Sequence, residues 1–216
     1  MELKYKNWND ITVNIFNKLK TIDVNAGDDL DMLNSNIELL SILCDVDEDT
    51  IANLTTTEFT NLLLQTAFLK DMPKADINDS YVINGKEYTV FLSMKNMTVS
   101  QYIDFQTFYK EQDKYLKELL SIFLIPKGKK YGEGYDINET INDIGEYLSI
   151  VDAYSILFFF IILFQNLTKV TLTCCIKDMK KMMKKMTNKA ELEKTKAAIR
   201  EIQKVKDLVK NGPGFF

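Results

Sequence analysis

The feature that most constrains the fold of this chain is an apolar run from Tyr154 to Phe164. After Tyr154 and Ser155, every residue of the run is Ile, Leu or Phe. A helix that is apolar on all sides is normally buried on all sides, either by the rest of its chain or by other subunits. We therefore expect a mainly α-helical protein organised around this buried segment. Its central residues are Phe158, Phe159, Phe160 and Ile161.

The same run is too short to predict a membrane span. Spanning a bilayer takes about 20 predominantly apolar residues. Here Asp152 precedes the run, and Gln165, Asn166 and Lys169 interrupt the sequence after it. The opening segment Met1–Trp8 is charged and lacks the apolar core of a signal peptide, which favours a chain that begins in a cytoplasm.

Three segments carry the sequence signature of a helix start. Thr12 precedes an amphipathic stretch and is a candidate N-cap. The segments Thr55–Glu58 and Thr98–Gln101 have the spacing of a capping box, in which a Thr and a Glu or Gln satisfy each other's backbone donors. With only 3 Pro and 8 Gly in 216 residues, long disordered linkers are not expected, and we predict about seven helices.

One β-hairpin is predicted at about residues 81–92. Two stretches rich in β-branched and aromatic residues flank Asn84–Gly85. This dipeptide tolerates the positive φ angles that a type I′ turn needs at both central positions. An isolated hairpin is marginally stable in water, so it should pack on helices or pair with strands of a neighbouring subunit.

The composition changes after Cys175. Residues 176–210 hold 12 Lys and Arg against 5 Asp and Glu, a net charge of +7 in a chain whose total is −4. We therefore predict a helical body at 1–175 and a basic amphipathic helical arm with a C-terminal tail at 176–216. The methionines expected to share one face of the arm are Met179, Met182, Met183 and Met186.

The chain ends in a helix-stopping sequence followed by two aromatic residues. Gly212 is suited to the position after a helix, and Pro213 prevents the helix from continuing. Phe215 and Phe216 would then lie on a short tether. We expect this pair either to fray or to fill an apolar pocket on a partner.

The residue inventory argues against catalysis. The chain has no His, which removes the commonest general base and transition-metal ligand. Its three Cys lack zinc-site spacing, and the acidic segment Asp45–Asp49 lacks the Gly and Glu of a calcium-binding loop. No enzymatic activity, cofactor or metal is expected.

A family resemblance lies between residues 125 and about 165. Its elements are Pro126–Gly128, Lys130–Tyr131, Gly134–Asp136, Ser149–Ala153 and Phe158–Phe160. In order and spacing this block resembles one found in structural and tail-assembly-type proteins of tailed bacteriophages of Bacteroidales, including crAss-like phages. The resemblance implies a virion or assembly protein without catalytic residues.

These observations lead to the expectation of a structural or packaged component of a phage particle. Its partners would be copies of itself and other phage structural proteins, and its location the virion, with the host cytoplasm during assembly. The first alternative is a cytoplasmic tail-assembly chaperone that is not retained in the virion. A further alternative is a membrane-associated helical protein, since a basic amphipathic helix can also bind anionic lipid or nucleic acid.

Overall fold

A computed structural model of the protein describes residues 1–22, 28–72, 76–91, 96–111, 114–184 and 189–211. Side chains are described in these ranges except at 165–171, 189–190, 192 and 205–211. The chain divides into two compact units, Met1–Leu157 and Phe158–Phe216.

Helices contain 65% of the residues, which confirms the predicted mainly α-helical class with one β-hairpin. The described residues form more helices than the seven expected. In chain order the elements are α1 (Val13–Leu19), α2 (Asp29–Cys44), α3 (Glu48–Ala52), α4 (Thr56–Gln65), a 3-10 helix (Thr66–Lys70), β1 (Ser80–Ile83), β2 (Lys86–Val90), α5 (Val99–Tyr109), α6 (Leu116–Phe123), β3 (Leu124–Pro126), α7 (Ile137–Tyr147), α8 (Ile150–Met183) and α9 (Lys189–Asn211).

The predicted helix starts are confirmed. Thr12 caps α1 by accepting a hydrogen bond from the backbone N–H of Ile15. Both capping boxes are complete, at the start of α4 and at the start of α5. The additional helix α3 forms within the acidic segment because Asp47 caps it, accepting from the backbone N–H of Thr50 at 2.7 Å.

The predicted hairpin is present and gains a third strand. Strands β1 and β2 pair antiparallel around Asn84 and Gly85, whose φ angles of 51° and 71° are those of a type I′ turn. Strand β3 pairs antiparallel with the other edge of β2 and gives the sheet order β1-β2-β3. The sequence analysis missed β3 because its three residues directly follow α6 and carry no turn signal of their own.

The core of the first unit is centred on α6. Helices α5 and α7 pack against it, and α1 packs on α7. Phe123 is fully buried on α6 and packs edge-to-face against Phe105 of α5, with 5.7 Å between the ring centroids. The N-terminal segment is tied to the start of α8 through the hydrogen bonds from Ile150 N to Ile11 O at 2.8 Å and from Val13 N to Leu148 O at 3.2 Å.

The predicted division into a body at 1–175 and an arm at 176–216 stays a prediction, although one helix crosses the position between them. Helix α8 is continuous for 34 residues from Ile150 to Met183 and runs through that position without a break. The division into compact units falls instead at Leu157/Phe158. The change of charge after Cys175 therefore marks a change in the surface of one helix, because a helix can change surface composition without interrupting its backbone.

Candidate interaction surfaces

The start of α8 is firmly anchored in the first unit. Ser149 caps it, since its hydroxyl accepts from the backbone N–H of Asp152 at 3.1 Å and donates to the Asp152 carboxylate at 2.8 Å. Ile150, Ala153 and Ile156 are fully buried. The first two turns of the helix therefore belong to the core of the first unit.

An apolar face of α8 is exposed immediately after this anchor. Phe158 is 61% exposed, and Ile162 is also exposed, whereas Phe160 and Ile161 are buried. The rest of the chain therefore does not cover Phe158 and Ile162, and their expected burial by other subunits stays a prediction. Residues four apart are neighbours on a helix surface, so these two side chains form one apolar patch. Phe159 is half-buried, and its ring packs edge-to-face on that of Phe160 at 5.3 Å.

The C-terminal part of α8 combines methionine with lysine. We define the Met–Lys segment as residues 177–184. Met182 is exposed, and Met179 and Met183 are half-buried. Four lysines of the segment are exposed, and Lys181 lies 3.7 Å from the carboxylate of Asp178. The segment thus presents flexible apolar side chains beside a cluster of positive charge.

Three of the predicted interaction residues lie outside the described part of the chain. These residues are Met186, Phe215 and Phe216. Their proposed roles, in the methionine face and in the C-terminal apolar plug, stay predictions.

The first unit carries a surface of the opposite charge. Residues 21–69 contain ten Asp and Glu and no Lys or Arg. Helices α2, α3 and α4 form most of this stretch, and α2 packs on both of the others. The charge bias of this region is visible in the sequence.

Within this acidic region, α2 exposes apolar side chains next to a cleft. Leu30 is 63% exposed, and Leu33 is exposed one turn later on the same face. Asn34 and Ile37 continue that face into a cleft of about 210 Å³ between α2 and α3. Its other lining residues are Glu48, Asp49 and Ala52 of α3. This volume is below the roughly 300–1,000 Å³ of sites that enclose small-molecule ligands, and it suits a protruding side chain better.

A buried polar cluster joins the hairpin to α7 through Asp143, which is 5% exposed. Its carboxylate accepts hydrogen bonds from Asn84 Nδ2 at 2.9 Å, Lys86 Nζ at 2.8 Å and Tyr88 Oη at 2.9 Å. Lys86 also donates to the exposed carboxylate of Glu139 at 2.7 Å. All three donors of Asp143 come from the turn and β2, so the cluster fixes the hairpin on the helix.

The cluster has the electrostatics of a structural clamp. Burial raises the pKa of Asp143, but the hydrogen bonds from Lys86, Asn84 and Tyr88 outweigh it and hold the pKa below the usual value. Hydrogen bonds to Asp143 and Glu139 raise the pKa of Lys86. A general base at neutral pH needs a pKa near 7, and both shifts move away from that value. The arrangement therefore keeps a stable ion pair and does not prepare a proton transfer.

Sequence reasoning missed Asp143, although one signal for it was present. Thr140, Asp143 and Ile144 are buried on the same face of α7. A carboxylate at such a position requires a partner, because buried charges are almost always paired. The partners lie more than 50 residues away in the sequence, so the pairing itself had no local signature.

The described residues offer neither a metal-binding group nor a membrane span. No three His, Cys, Asp or Glu side chains among them converge in a way that could hold an ion. None of the helices, as far as the structure describes them, combines the length and the apolar character needed to cross a bilayer.

Comparisons of the chain with known protein families, with curated proteins and with solved structures find no match.

Proposed function

We propose that this protein is a non-enzymatic structural component of a tailed bacteriophage particle and acts through protein–protein assembly. The observation that carries the proposal is the exposed apolar patch of Phe158 and Ile162 on a helix whose start is anchored in the core. The patch lies inside the 125–165 block that resembles phage structural and tail-assembly proteins. An exposed aromatic patch on a helix is the kind of surface that an assembly partner covers.

Burial around the patch supports an interface. Phe160 and Ile161 are buried, so the exposed Phe158 borders a packed part of the chain. Aromatic side chains on rigid elements bind with little loss of conformational entropy. Covering Phe158 and Ile162 would remove apolar surface from water at about 25 cal/mol per Å² before the costs of association.

The second candidate is a tail-assembly chaperone that covers an apolar partner and is absent from the finished particle. The same exposed patch favours it, since a transient partner could occupy Phe158 and Ile162 as well as a permanent one. The two functions differ in one observable, which is whether the chain remains in mature particles.

Peptide mass spectrometry of gradient-purified, nuclease-treated particles tests the proposal. A structural component is expected at a constant ratio to the major capsid protein through successive purification steps. A chain that is abundant in the infected-cell lysate and lost from particles would contradict the structural role and favour the chaperone.

A further inference from the structure

We infer that the protein self-associates, with the Met–Lys segment of one copy docking on the acidic α2–α3 face of a second copy. The docking face consists of Leu30, Leu33 and the cleft between α2 and α3. This inference deepens the proposed function by naming a partner and its contact surface, and it rests on the proposed assembly role.

The two units of the chain carry opposite net charges. Residues 1–157 contain 14 Lys and Arg and 26 Asp and Glu, a net charge of −12. Residues 158–216 contain 13 Lys and Arg and 5 Asp and Glu, a net charge of +8. Two copies can therefore attract each other between unlike units even though each whole chain is negative, and such fields steer association.

The α2–α3 face and the Met–Lys segment also have complementary local compositions. Leu30 and Leu33 are exposed on α2, and exposed Glu48 and Asp49 line the adjoining cleft. The Met–Lys segment carries the complementary set, with Met182 exposed between lysines. An amphipathic helix docks by placing its apolar side chains in a groove while its charges meet the rim.

The size of the cleft between α2 and α3 suits a methionine side chain. It has a volume of about 210 Å³, and its lining residues include the apolar Ile37 and Ala52. A methionine side chain is long, unbranched and polarizable, so it fits an irregular cleft of this kind without a preformed shape. Glu48 and Asp49 at the rim are placed to pair with lysines that flank such a methionine, such as Lys180 and Lys181.

The contact joins unlike surfaces. The two faces belong to different units of the chain, so residues of one unit meet residues of the other unit. Such a contact can close reciprocally in a two-fold dimer or repeat from copy to copy in a ring or a filament.

Charge reversal with rescue tests the inference on the full chain by light scattering and sedimentation. Glu48→Lys with Asp49→Lys should weaken self-association by about tenfold, and Lys180→Glu with Lys181→Glu should do the same. Combining all four substitutions in one chain restores complementary charges and should recover the association. Glu111→Lys with Glu133→Lys is the matched control, because it changes the charge equally at exposed positions outside α2–α4.

A pair of apolar-to-polar substitutions separates an effect on association from an effect on folding. Leu30→Gln should reduce association, whereas Val99→Gln, at an exposed position on α5, should leave it unchanged. Circular dichroism should show the same helix content in both variants. Equal association of the two variants would overturn the inference.

Zero-length cross-linking of a mixture of 14N and 15N chains identifies the partner. Cross-links between α3 carboxylates and lysines 180–184 should join peptides of different isotopic composition. A protein that stays monomeric at all concentrations would overturn the inference. Cross-links confined to peptides of one isotope would also overturn it, because they would show that the segment docks within its own chain. A chain that is retained in particles without self-associating overturns only this inference, whereas one that self-associates and is missing from particles overturns only the proposed structural role.

Discussion

The phenol of Tyr88 donates a hydrogen bond of 2.9 Å to the buried carboxylate of Asp143, although the two residues are 55 positions apart. Tyr88 lies on β2 and is almost fully buried, so the contact joins the sheet to α7 inside the core of the first unit. Burial, followed by the hydrogen bond to Asp143, raises the pKa of Tyr88. The phenol therefore stays protonated and keeps donating at neutral pH.

Replacing the carboxylate should destabilise the fold. Asp143→Asn removes the negative charge that Lys86 and Tyr88 meet, and it should lower the free energy of unfolding by about 1–3 kcal/mol. Glu139→Gln is the matched control, because Glu139 binds the same Lys86 from an exposed position and should cost under about 1 kcal/mol. Urea unfolding followed by circular dichroism measures both. Equal costs would mean that burial of Asp143 is unimportant.

The same carboxylate should make stability depend on pH. The folded-state pKa of Asp143 is below its usual value, so the unfolded state takes up a proton first as the pH falls. Its contribution is fully present above the ordinary pKa of about 3.9 and is lost as the pH falls through the folded-state value. The difference in unfolding free energy between wild type and Asp143→Asn should therefore be constant from pH 7 to 5 and shrink below about pH 4. A difference that grows on acidification would contradict this assignment.

The turn residue Asn84 has two roles that substitutions can separate. Asn84→Gly keeps the positive φ angle that the type I′ turn needs and removes only the hydrogen bond to Asp143, at a cost of about 1 kcal/mol. Asn84→Asp also suits the turn but places a second carboxylate beside Asp143, and it should cost about 1–3 kcal/mol more. Chemical denaturation at pH 7 compares them. If Asn84→Asp is as stable as Asn84→Gly, the side chain does not contact Asp143 in solution.

The capping box of α5 offers a comparison within one helix. Thr98→Ala removes the side chain that accepts from Gln101 N at 3.2 Å, and it should cost about 1 kcal/mol. Thr107→Ala makes the same change at an exposed position inside the helix and should be neutral or slightly stabilising. Thermal unfolding of the two variants checks the difference. A smaller loss for Thr98→Ala than for Thr107→Ala would argue against the cap.

Features encoded within a few residues could be predicted from the sequence, and features that depend on distant residues could not. The capping boxes at Thr55 and Thr98 and the turn at Asn84–Gly85 were predicted because each is a local pattern. The clamp on Asp143 was missed because its partners come from another part of the chain. Strand β3 was missed for the same reason, since its pairing with β2 depends on tertiary structure.

The exposed patch on α8 shows a second limit of the sequence pattern. Hydrophobicity marked Phe158 and Phe160 alike, but Phe160 is 1% exposed whereas Phe158 is open to solvent. Composition without periodicity does not distinguish the faces of a helix, because an apolar run has no polar side to orient it. Burial could be assigned to one face only once the placement of the helix was known.

Substitutions at Phe160 and Phe158 should therefore separate an effect on folding from an effect on assembly. Phe160→Asp puts an unpaired charge in a buried site and should cost several kcal/mol, about enough to unfold a marginally stable domain. Phe158→Asp lies on the surface and should change stability by less than about 1 kcal/mol. Thermal unfolding monitored by circular dichroism compares the variants. Unfolding of Phe158→Asp in the isolated chain would mean that the patch is part of the core.

The most direct measurement of the central claim is the number of copies of this chain per purified particle, determined by quantitative peptide mass spectrometry. Particles would be produced with the wild-type chain and, separately, with Phe158→Asp as the only source of the protein. The structural role predicts a constant copy number for the wild type and a loss of at least about tenfold for the folded Phe158→Asp variant. Absence of the wild-type chain from particles, or equal incorporation of Phe158→Asp, would contradict it.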